Sequence, residues 1–335
     1  MIEEGTVPND DPHVDGVTAV HVAAQGGHLD CVQLLITAGA KVSIADDEGR
    51  TPLALAIKGN YGEVASLLVE SGADPNTPYI DESKESHNLL MDSMIVENEE
   101  FAKLLVEKGA DIYYKDANLV STLLQASHRG MIDVVKALLA KHESATTTET
   151  EYLDAASDEG ITPLIAASSE GHVDIVKLLV DAKANIDAKD KDGTNSLMAA
   201  AARGHKDICA VLLAAGAQVN EQNVDGHTAL MFAYNGKNQV ETLWARYTQY
   251  LSEAAATSSA VADGDDAGTG STIKEALDNH TALVDMLMGA NADVSLKDRE
   301  GHVAKDFDYN PNADGEVLEQ AKSAQAARDG SKEEL

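Results

Sequence analysis

Short apolar segments recur in pairs along the chain, and glycine and acidic residues separate one pair from the next. The first pair lies between Asp15 and Asp46, and residues 27–35 are predicted to be its second helix. Thr18 and Thr51 stand 33 residues apart, and so do Leu164 and Leu197. This fixed spacing predicts a row of helix pairs that bury their apolar faces against one another.

Each predicted helix pair carries signals at its start and at its end. Thr51 precedes Pro52 and Leu53, so its hydroxyl can cap a helix whose first turn is favoured by the proline. At the end of the second helix we expect glycine, which adopts a left-handed backbone without a Cβ penalty. The glycines at that position are Gly39, Gly72, Gly109 and Gly216.

With this period and with Thr-Pro-Leu at residues 51–53, the chain resembles the ankyrin-repeat family over about residues 5–310. The resemblance implies an all-α solenoid of about seven repeats, each a helix-turn-helix followed by a β-hairpin loop. It also implies that a partner binds along the concave surface of first helices and hairpins. The fold presents a binding surface but does not name the partner.

The resemblance divides the chain into three segments. Residues 15–310 are expected to form the repeat solenoid, and residues 311–335 a capping helix and polar tail with a natural C-terminus. Residues 1–14 are expected to be a linker or the remnant of an upstream repeat that has been removed, because residues 5–9 imitate the repeat tail at 72–76. Insertions are expected at residues 77–84, 143–157 and 239–278.

Three repeats depart from the pattern. The third repeat has no Thr-Pro phrase, and its hairpin is four residues longer than the period requires. In the fourth repeat, Leu119 stands at the hairpin glycine position and His142 at the helix-ending glycine position. The seventh repeat begins at Asp225 but resumes only near Asn279. Residues 252–272 within it are rich in Ala, Ser and Gly, so we expect a mobile loop there.

The chain is strongly acidic, with a formal net charge of −32. This charge opposes nucleic-acid binding, which depends on neutralising phosphates, and it disfavours anionic membrane surfaces. It favours basic partners or cations, although excess surface charge also simply keeps a protein soluble and monomeric. No apolar run is long enough to span a bilayer. We therefore expect a monomer that binds an unknown protein or peptide, without nucleic acid or membrane insertion.

No sequence motif points to catalysis, a cofactor or a metal. The chain has no Gly-rich phosphate loop, nucleophile elbow or His-Glu-x-x-His motif. The segment that begins at Asp263 resembles the start of a calcium-binding loop, but Lys274 stands where that loop needs a glutamate. Cys31 and Cys209 are expected to be small buried side chains, too far apart for a disulfide. Histidines that recur at one repeat position, and are expected to be structural, are His28, His172, His205 and His280.

Candidate partner-binding residues are the positions that match the family's binding surface. At the ends of the first helices they are Gln25, Lys58, Ile95, Val96, His128, Arg129, Ser169, Glu170, Ala202, Arg203 and Asn235. In the hairpins they are Asp47, Glu48, Arg50, Glu159, Asp192, Asp225 and His227.

These candidates are mixed in charge. Lys58, Arg129 and Arg203 place positive charge along the first helices, and Ile95 and Val96 add apolar surface. Such a row could hold an acidic or amphipathic segment. The alternative is that the two apolar residues pack under a degenerate hairpin and that the arginines only cover neighbouring surface. The sequence leaves both interpretations open.

Trp244 and Tyr247 complete the candidates, because the last insertion concentrates aromatic residues. One face of a predicted helix is shared by Val240, Leu243 or Trp244, Tyr247 and Leu251. This face either packs against the solenoid or docks a partner.

The resulting hypothesis is a non-enzymatic adaptor or scaffold for protein interactions. The alternative is an acidic protein of the endoplasmic-reticulum lumen that acts in weak cation buffering or chaperone association. It rests on the charge and on residues 332–335, Lys-Glu-Glu-Leu, which look like a variant of the Lys-Asp-Glu-Leu retention signal. On that tail the lumen is favoured over the cytoplasm. An enzyme housed in the last insertion would need titratable residues clustered in a pocket.

Overall fold

A computed structural model of the chain describes residues 14–77, 79–80, 86–145, 151–256 and 266–307. Across these ranges, helix pairs alternate with hairpin loops. The chain divides into two compact units. The first unit extends to Asp158 and also includes Asp181–Lys183, whereas the second comprises Glu159–Val180 and the residues from Ala184 onward.

Described residues of the first unit form four helix pairs. Its first helices have seven residues each: α1 (Ala19–Gln25), α3 (Pro52–Lys58), α5 (Leu89–Ile95) and α7 (Thr122–His128). Its second helices are α2 (Leu29–Thr37), α4 (Gly62–Glu70), α6 (Glu99–Glu107) and α8 (Ile132–Ser144). Between α4 and α5, strand β1 (Tyr79–Ile80) pairs antiparallel with β2 (Ser86–His87).

The second unit begins with two regular helix pairs and ends with a much longer one. The regular pairs are α9 (Pro163–Glu170) with α10 (Val173–Asp181), and α11 (Ser196–Ala202) with α12 (Lys206–Ala214). The long pair is α13 (Ala229–Ala256) and α14 (Asp266–Gly289). A short 3-10 helix, Ala304–Phe307, then packs against α13.

Side-chain caps explain why the first helices begin where they do. The Thr51 hydroxyl accepts a hydrogen bond from the Ala54 N–H at 3.2 Å, and Pro52 occupies the first turn. In the third repeat, which lacks the Thr-Pro phrase, the Asn88 side chain accepts instead from the N–H groups of Leu90 and Met91. Ser121, Thr162 and Asn195 cap α7, α9 and α11 in the same way. The capping role is thus preserved while the residue type changes.

Each unit buries its core between successive helix pairs. One repeat position holds a fully buried leucine in five second helices: Leu68, Leu105, Leu138, Leu179 and Leu212. A 33-residue period alone would separate these positions evenly, but the insertions widen two of the intervals. The predicted all-α repeat fold is confirmed by this arrangement of helix pairs.

Two irregular positions of the fourth repeat behave differently. Leu119 adopts the left-handed backbone of the glycine it replaces, with φ at 59°. At His142, however, α8 does not end, and it continues to Ser144. The ring of His142 stacks on Tyr152 with centroids 4.3 Å apart, and Tyr113 contacts both rings edge-on. Tyr152 is buried and stacks on the extra turn of α8, so this insertion residue anchors its segment there. The same burial raises the pKa of the Tyr152 phenol.

The expectation of a mobile loop over residues 252–272 is wrong at both ends. Helix α13 continues to Ala256, and α14 already begins at Asp266. The two helices pack along each other, with Thr248 and Ile273 buried and Tyr247 close to Gly270, where a Cβ would lie 2.8 Å from the ring. Alanine favours helix, and a small residue permits close helix packing. The insertion therefore lengthens both helices of the seventh repeat.

Cys209 is buried as predicted, and burial raises the pKa of its thiol to about 12. The prediction is wrong for Cys31, which is exposed. The matching residues Val64 and Phe101 are buried because a helix pair precedes each of them. The pair formed by α1 and α2 is the first in the described residues, so no described helix pair precedes it. Burial at this position therefore depends on the preceding neighbour and not on the residue itself.

Several expectations fall on residues outside the described ranges. Residues 1–13 and 308–335 include most of the expected N-terminal remnant, the capping helix and the Lys-Glu-Glu-Leu tail. The phrase that begins at Asp263 also lies partly outside them. These expectations stay predictions, as does the location in the endoplasmic-reticulum lumen.

Candidate protein-binding surface

Side-chain-to-backbone hydrogen bonds fix the shape of the hairpins. Asp46 Oδ1 accepts from the backbone N–H groups of Glu48 at 3.0 Å and Arg50 at 2.8 Å. The same pattern, two and four residues ahead, is made by Asp116, Asn223 and Asp298. Such local bonds hold a turn in one conformation. The hairpin residues therefore project from a defined backbone.

Neighbouring hairpins within each unit are joined by backbone hydrogen bonds of 2.8–3.0 Å. In the first unit these bonds run from Asp47 to Asp15 and from Asp158 to Asn118. In the second unit they run from Lys191 to Glu159, from Val224 to Asp192 and from Arg299 to Asp225. Four predicted hairpin residues, Asp47, Glu159, Asp192 and Asp225, take part in this ladder through their backbone groups. The ladder leaves their side chains exposed.

The candidates at the ends of the first helices also reach the surface. Those that are exposed are Gln25, Lys58, Ile95, His128, Arg129, Ala202 and Arg203, whereas Val96, Ser169 and Glu170 are half-buried. Ile95 is 52% exposed, so it presents apolar surface at the end of α5. We call these helix ends, together with the hairpin candidates, the hairpin surface.

Cations of the hairpin surface are mostly neutralised by carboxylates. Arg129 lies 2.8 Å from Glu97, and Arg203 lies 3.6 Å from Glu170. Arg50 contacts both Asp46 at 2.8 Å and Glu48 at 2.6 Å. Lys191 and Arg299 pair in the same way with Glu159 and Asp225. Two of the three cations that suggested an acidic partner are therefore already paired.

Lys58 was predicted as a surface cation, whereas Glu97 was not predicted to take part in the hairpin surface. Lys58 is exposed and makes no ion pair within the described part of the chain. Sequence reasoning missed Glu97 as the partner of Arg129. The available signal was an acid 32 residues before the arginine, which is close to one repeat period. Residues one period apart occupy matching positions on successive helix pairs and can therefore touch.

His227 is held in place by an acid and by two aromatic rings. Its Nε2 lies 3.5 Å from Asp298 Oδ2, and the rings of Phe232 and Phe307 contact it edge-on. Burial would raise the pKa of Asp298, but hydrogen bonds from the backbone and side chain of His302 keep it below its usual value. Half-buried His227 thus orders the last hairpin as well as facing solvent.

Three other candidates lie in α13, away from the hairpins and helix ends. Asn235 is exposed, and Trp244 and Tyr247 are half-buried with their rings 6.0 Å apart. Leu243, on the same predicted face, remains 52% exposed. The aromatic face therefore packs partly against α14 and keeps part of its area in solvent.

Two inner histidines have structural roles in their units. His21 Nδ1 accepts from the Thr18 N–H at 3.1 Å, which leaves Nε2–H to donate to the Arg50 carbonyl at 3.0 Å. His205 Nε2 lies 3.0 Å from the Ser169 carbonyl oxygen. Burial lowers the pKa of both side chains, so the fold favours their neutral form.

Neither a metal site nor a membrane span is found in the described ranges. There, no group of three or more His, Cys, Asp or Glu side chains is arranged to hold a metal ion. None of the described helices combines the length and apolar character that crossing a bilayer requires.

The family model "Ankyrin repeats (3 copies)" matches residues 1–79, 123–223 and 183–252. Over 165 residues, or 49% of this chain, the sequence is 33% identical to the ankyrin repeat and KH domain-containing protein mask-1 of Caenorhabditis elegans. Over 74 residues, or 22% of this chain, it is 40% identical to protein phosphatase 1 regulatory subunit 27 of Mus musculus. The human ASB11 ankyrin repeat domain aligns with a TM-score of 0.49 and 25% identity, covering 64% of this chain and 90% of that structure.

These matches cover only part of the relatives. The aligned segment spans 6% of the nematode protein and 48% of the mouse phosphatase subunit.

Proposed function

Because the chain belongs to the ankyrin-repeat family, we propose that it is a non-enzymatic adaptor that holds a protein or peptide partner on its hairpin surface. The observation that carries this proposal is the ladder of backbone hydrogen bonds that fixes neighbouring hairpins while their side chains stay exposed. A surface that is ordered before binding loses little conformational entropy when the partner arrives.

The composition of the surface supports a protein partner. Exposed Ile95 offers apolar contact area, and the paired arginines offer guanidinium groups fixed by carboxylates. Arginine and large apolar side chains contribute disproportionately to protein interfaces. The net charge of −32 opposes a nucleic-acid partner, so we include the absence of nucleic acid in the proposal.

The name of one relative also supports a function in binding a partner protein. One of them is named a regulatory subunit of protein phosphatase 1, although the chain matches only 48% of its length. Regulation through binding needs a surface and no catalytic group. We therefore propose regulation or assembly of a partner, and we leave the partner's identity to experiment.

The test is affinity capture from an extract of the source organism, followed by mass spectrometry. It compares wild type with Ile95→Glu in the first unit and Ala202→Glu in the second, because both positions are exposed ends of first helices. The matched controls are Leu34→Glu and Ala210→Glu, which change exposed residues of second helices.

We expect at least one captured protein to be lost from a hairpin-surface variant and kept by both controls. Identical protein lists for all five forms, or losses confined to the controls, would contradict the proposal. Circular dichroism of each variant shows whether its fold is unchanged.

A further inference from the structure

The hairpin surface includes the ends of the first helices, whereas a groove in the first unit lies between two second helices, α6 and α8. Its volume is about 460 Å³. Buried Val106 contributes to its floor from α6, and Ala137 and Ala140 line it from α8. Lys103, Lys136 and Lys141 are among the polar residues around it. We call this feature the α6–α8 groove.

The sequence of α8 explains why the groove exists. Ala137 stands at the repeat position that holds Leu67, Leu104 and Leu178 in other second helices. An alanine in place of leucine leaves room for about three methyl or methylene groups between packed helices. Helix α8 also has 13 residues where α6 has nine, so its last turn extends the wall of the groove.

The same helix changes the local charge. Ala140 stands where other second helices carry Glu70, Glu107 and Asp181, so one acid is absent from this side of the groove. Lys136 is paired with Asp133 at 3.2 Å. Glu107 also lines the groove. The three lysines outnumber the two acids, in contrast to the chain as a whole.

Two of these lysines have no internal counter-ion. Lys103 is half-buried and Lys141 is exposed, and neither makes an ion pair within the ranges that the structure describes. An ammonium group without a counter-ion, carried on a side chain that runs along apolar surface, gains from an anion that approaches it. The groove therefore combines an apolar floor with positive charge that is available to a ligand.

We propose that the α6–α8 groove binds an acidic segment of a partner protein, with a Leu, Ile or Val side chain over Ala137 and carboxylates at Lys103 and Lys141. Charge complementarity favours this occupant, because unpaired Lys103 and Lys141 outnumber Glu107, the lining acid that makes no ion pair with a described residue. This site is separate from the hairpin surface, so either proposal can fail without the other.

The experiment pans a phage-displayed library of random 12-residue peptides against the immobilised full chain. Enriched peptides are synthesised with a fluorescent label, and their Kd values are measured by anisotropy. The variants are Lys103→Glu/Lys141→Glu, which reverses the charge, and Ala137→Leu, which fills the groove with the residue found in α6 and α10. Lys177→Glu is the control, because Lys177 matches Lys103 by repeat position but lies in α10.

We expect the enriched peptides to carry two or more Asp or Glu residues beside Leu, Ile or Val. Their Kd should rise about tenfold or more in both groove variants and stay within about twofold in the control. Urea unfolding of Ala137→Leu verifies that the filled groove leaves the fold intact.

Three results would overturn the proposal. They are an enrichment of basic or neutral peptides, binding that survives both groove variants, and a library that yields no binder. Sedimentation with phosphatidylserine vesicles is run in parallel. Vesicle binding that Lys103→Glu/Lys141→Glu removes, without any peptide binder, would replace the protein segment by a lipid surface.

Discussion

The hairpin surface and the α6–α8 groove differ in how many of their cations are paired with carboxylates. Within the described residues, Lys58 is the unpaired cation among the hairpin-surface candidates, and Lys136 is the paired cation of the groove. On the hairpin surface, Arg50, Arg129 and Arg203 each lie within 3.6 Å of a carboxylate. In the groove, Lys103 and Lys141 make no ion pair with any described residue. Paired cations mainly connect parts of the fold, whereas unpaired cations remain available to an external anion. The difference shows that the number of basic residues on a surface does not define the charge of its partner.

The largest change in the free energy of unfolding is expected at Asp46, the buried carboxylate that holds one hairpin together. Asp46 has a side chain that is 1% exposed, and it accepts hydrogen bonds from two backbone N–H groups and from Arg50. Asp46→Ala leaves these donors without their acceptor, so we expect it to lower the free energy of unfolding by about 2–3 kcal/mol. Urea unfolding monitored by circular dichroism measures this change.

Asp47→Ala serves as the control for that prediction, because its side chain is exposed. We expect it to change the unfolding free energy by less than about 0.5 kcal/mol. Equal losses for Asp46→Ala and Asp47→Ala would show that the buried carboxylate does not organise the hairpin.

A smaller difference in unfolding free energy is expected between substitutions of paired Arg129 and unpaired Lys103. Arg129→Glu removes an exposed ion pair and places a second acid near Glu97, so we expect a loss of about 0.5–1 kcal/mol that shrinks in high salt. Lys103→Glu breaks no internal ion pair and should cost less. Urea unfolding in low and high sodium chloride compares them. A larger loss for Lys103→Glu would mean that the lysine has an internal role that the proposed groove function does not include.

The smallest effect concerns pH and involves one histidine in each unit. Burial lowers the pKa of His21 and His205, so the unfolded chain takes up protons at a higher pH than the folded chain does. Protonation then favours the unfolded state, and stability should fall as pH drops below about 6.5. Urea midpoints between pH 8 and 5.5 measure the slope. His21→Gln/His205→Gln should reduce that slope, and a midpoint that rises toward pH 5.5 would contradict the assignment.

The repeat pattern could be predicted because its signals are local. Thr51 and Pro52 mark a helix start within a few residues, and leucines recur at matching positions of successive repeats. Leu119 could also be assigned to a glycine position, since the sequence around it retains the repeat spacing.

The failures have a common cause, which is dependence on a distant neighbour. Cys31 is exposed because, among the described residues, no preceding helix pair packs against its position. Residues 252–256 and 266–272 are helical because α13 and α14 pack along each other, which their composition alone does not indicate. The α6–α8 groove depends on small Ala137 and on the extra turn of α8, whose effect appears only when α6 lies beside them.

The central claim is that a partner contacts the hairpin surface. Photo-crosslinking tests it directly, with p-benzoylphenylalanine placed singly at Ile95 or Ala202 and, as controls, at Lys177 or Ala210 on second helices. After irradiation in extract, we predict a discrete crosslinked protein from Ile95 or Ala202 and none from the two controls. Crosslinks formed only from Lys177 or Ala210 would contradict the account.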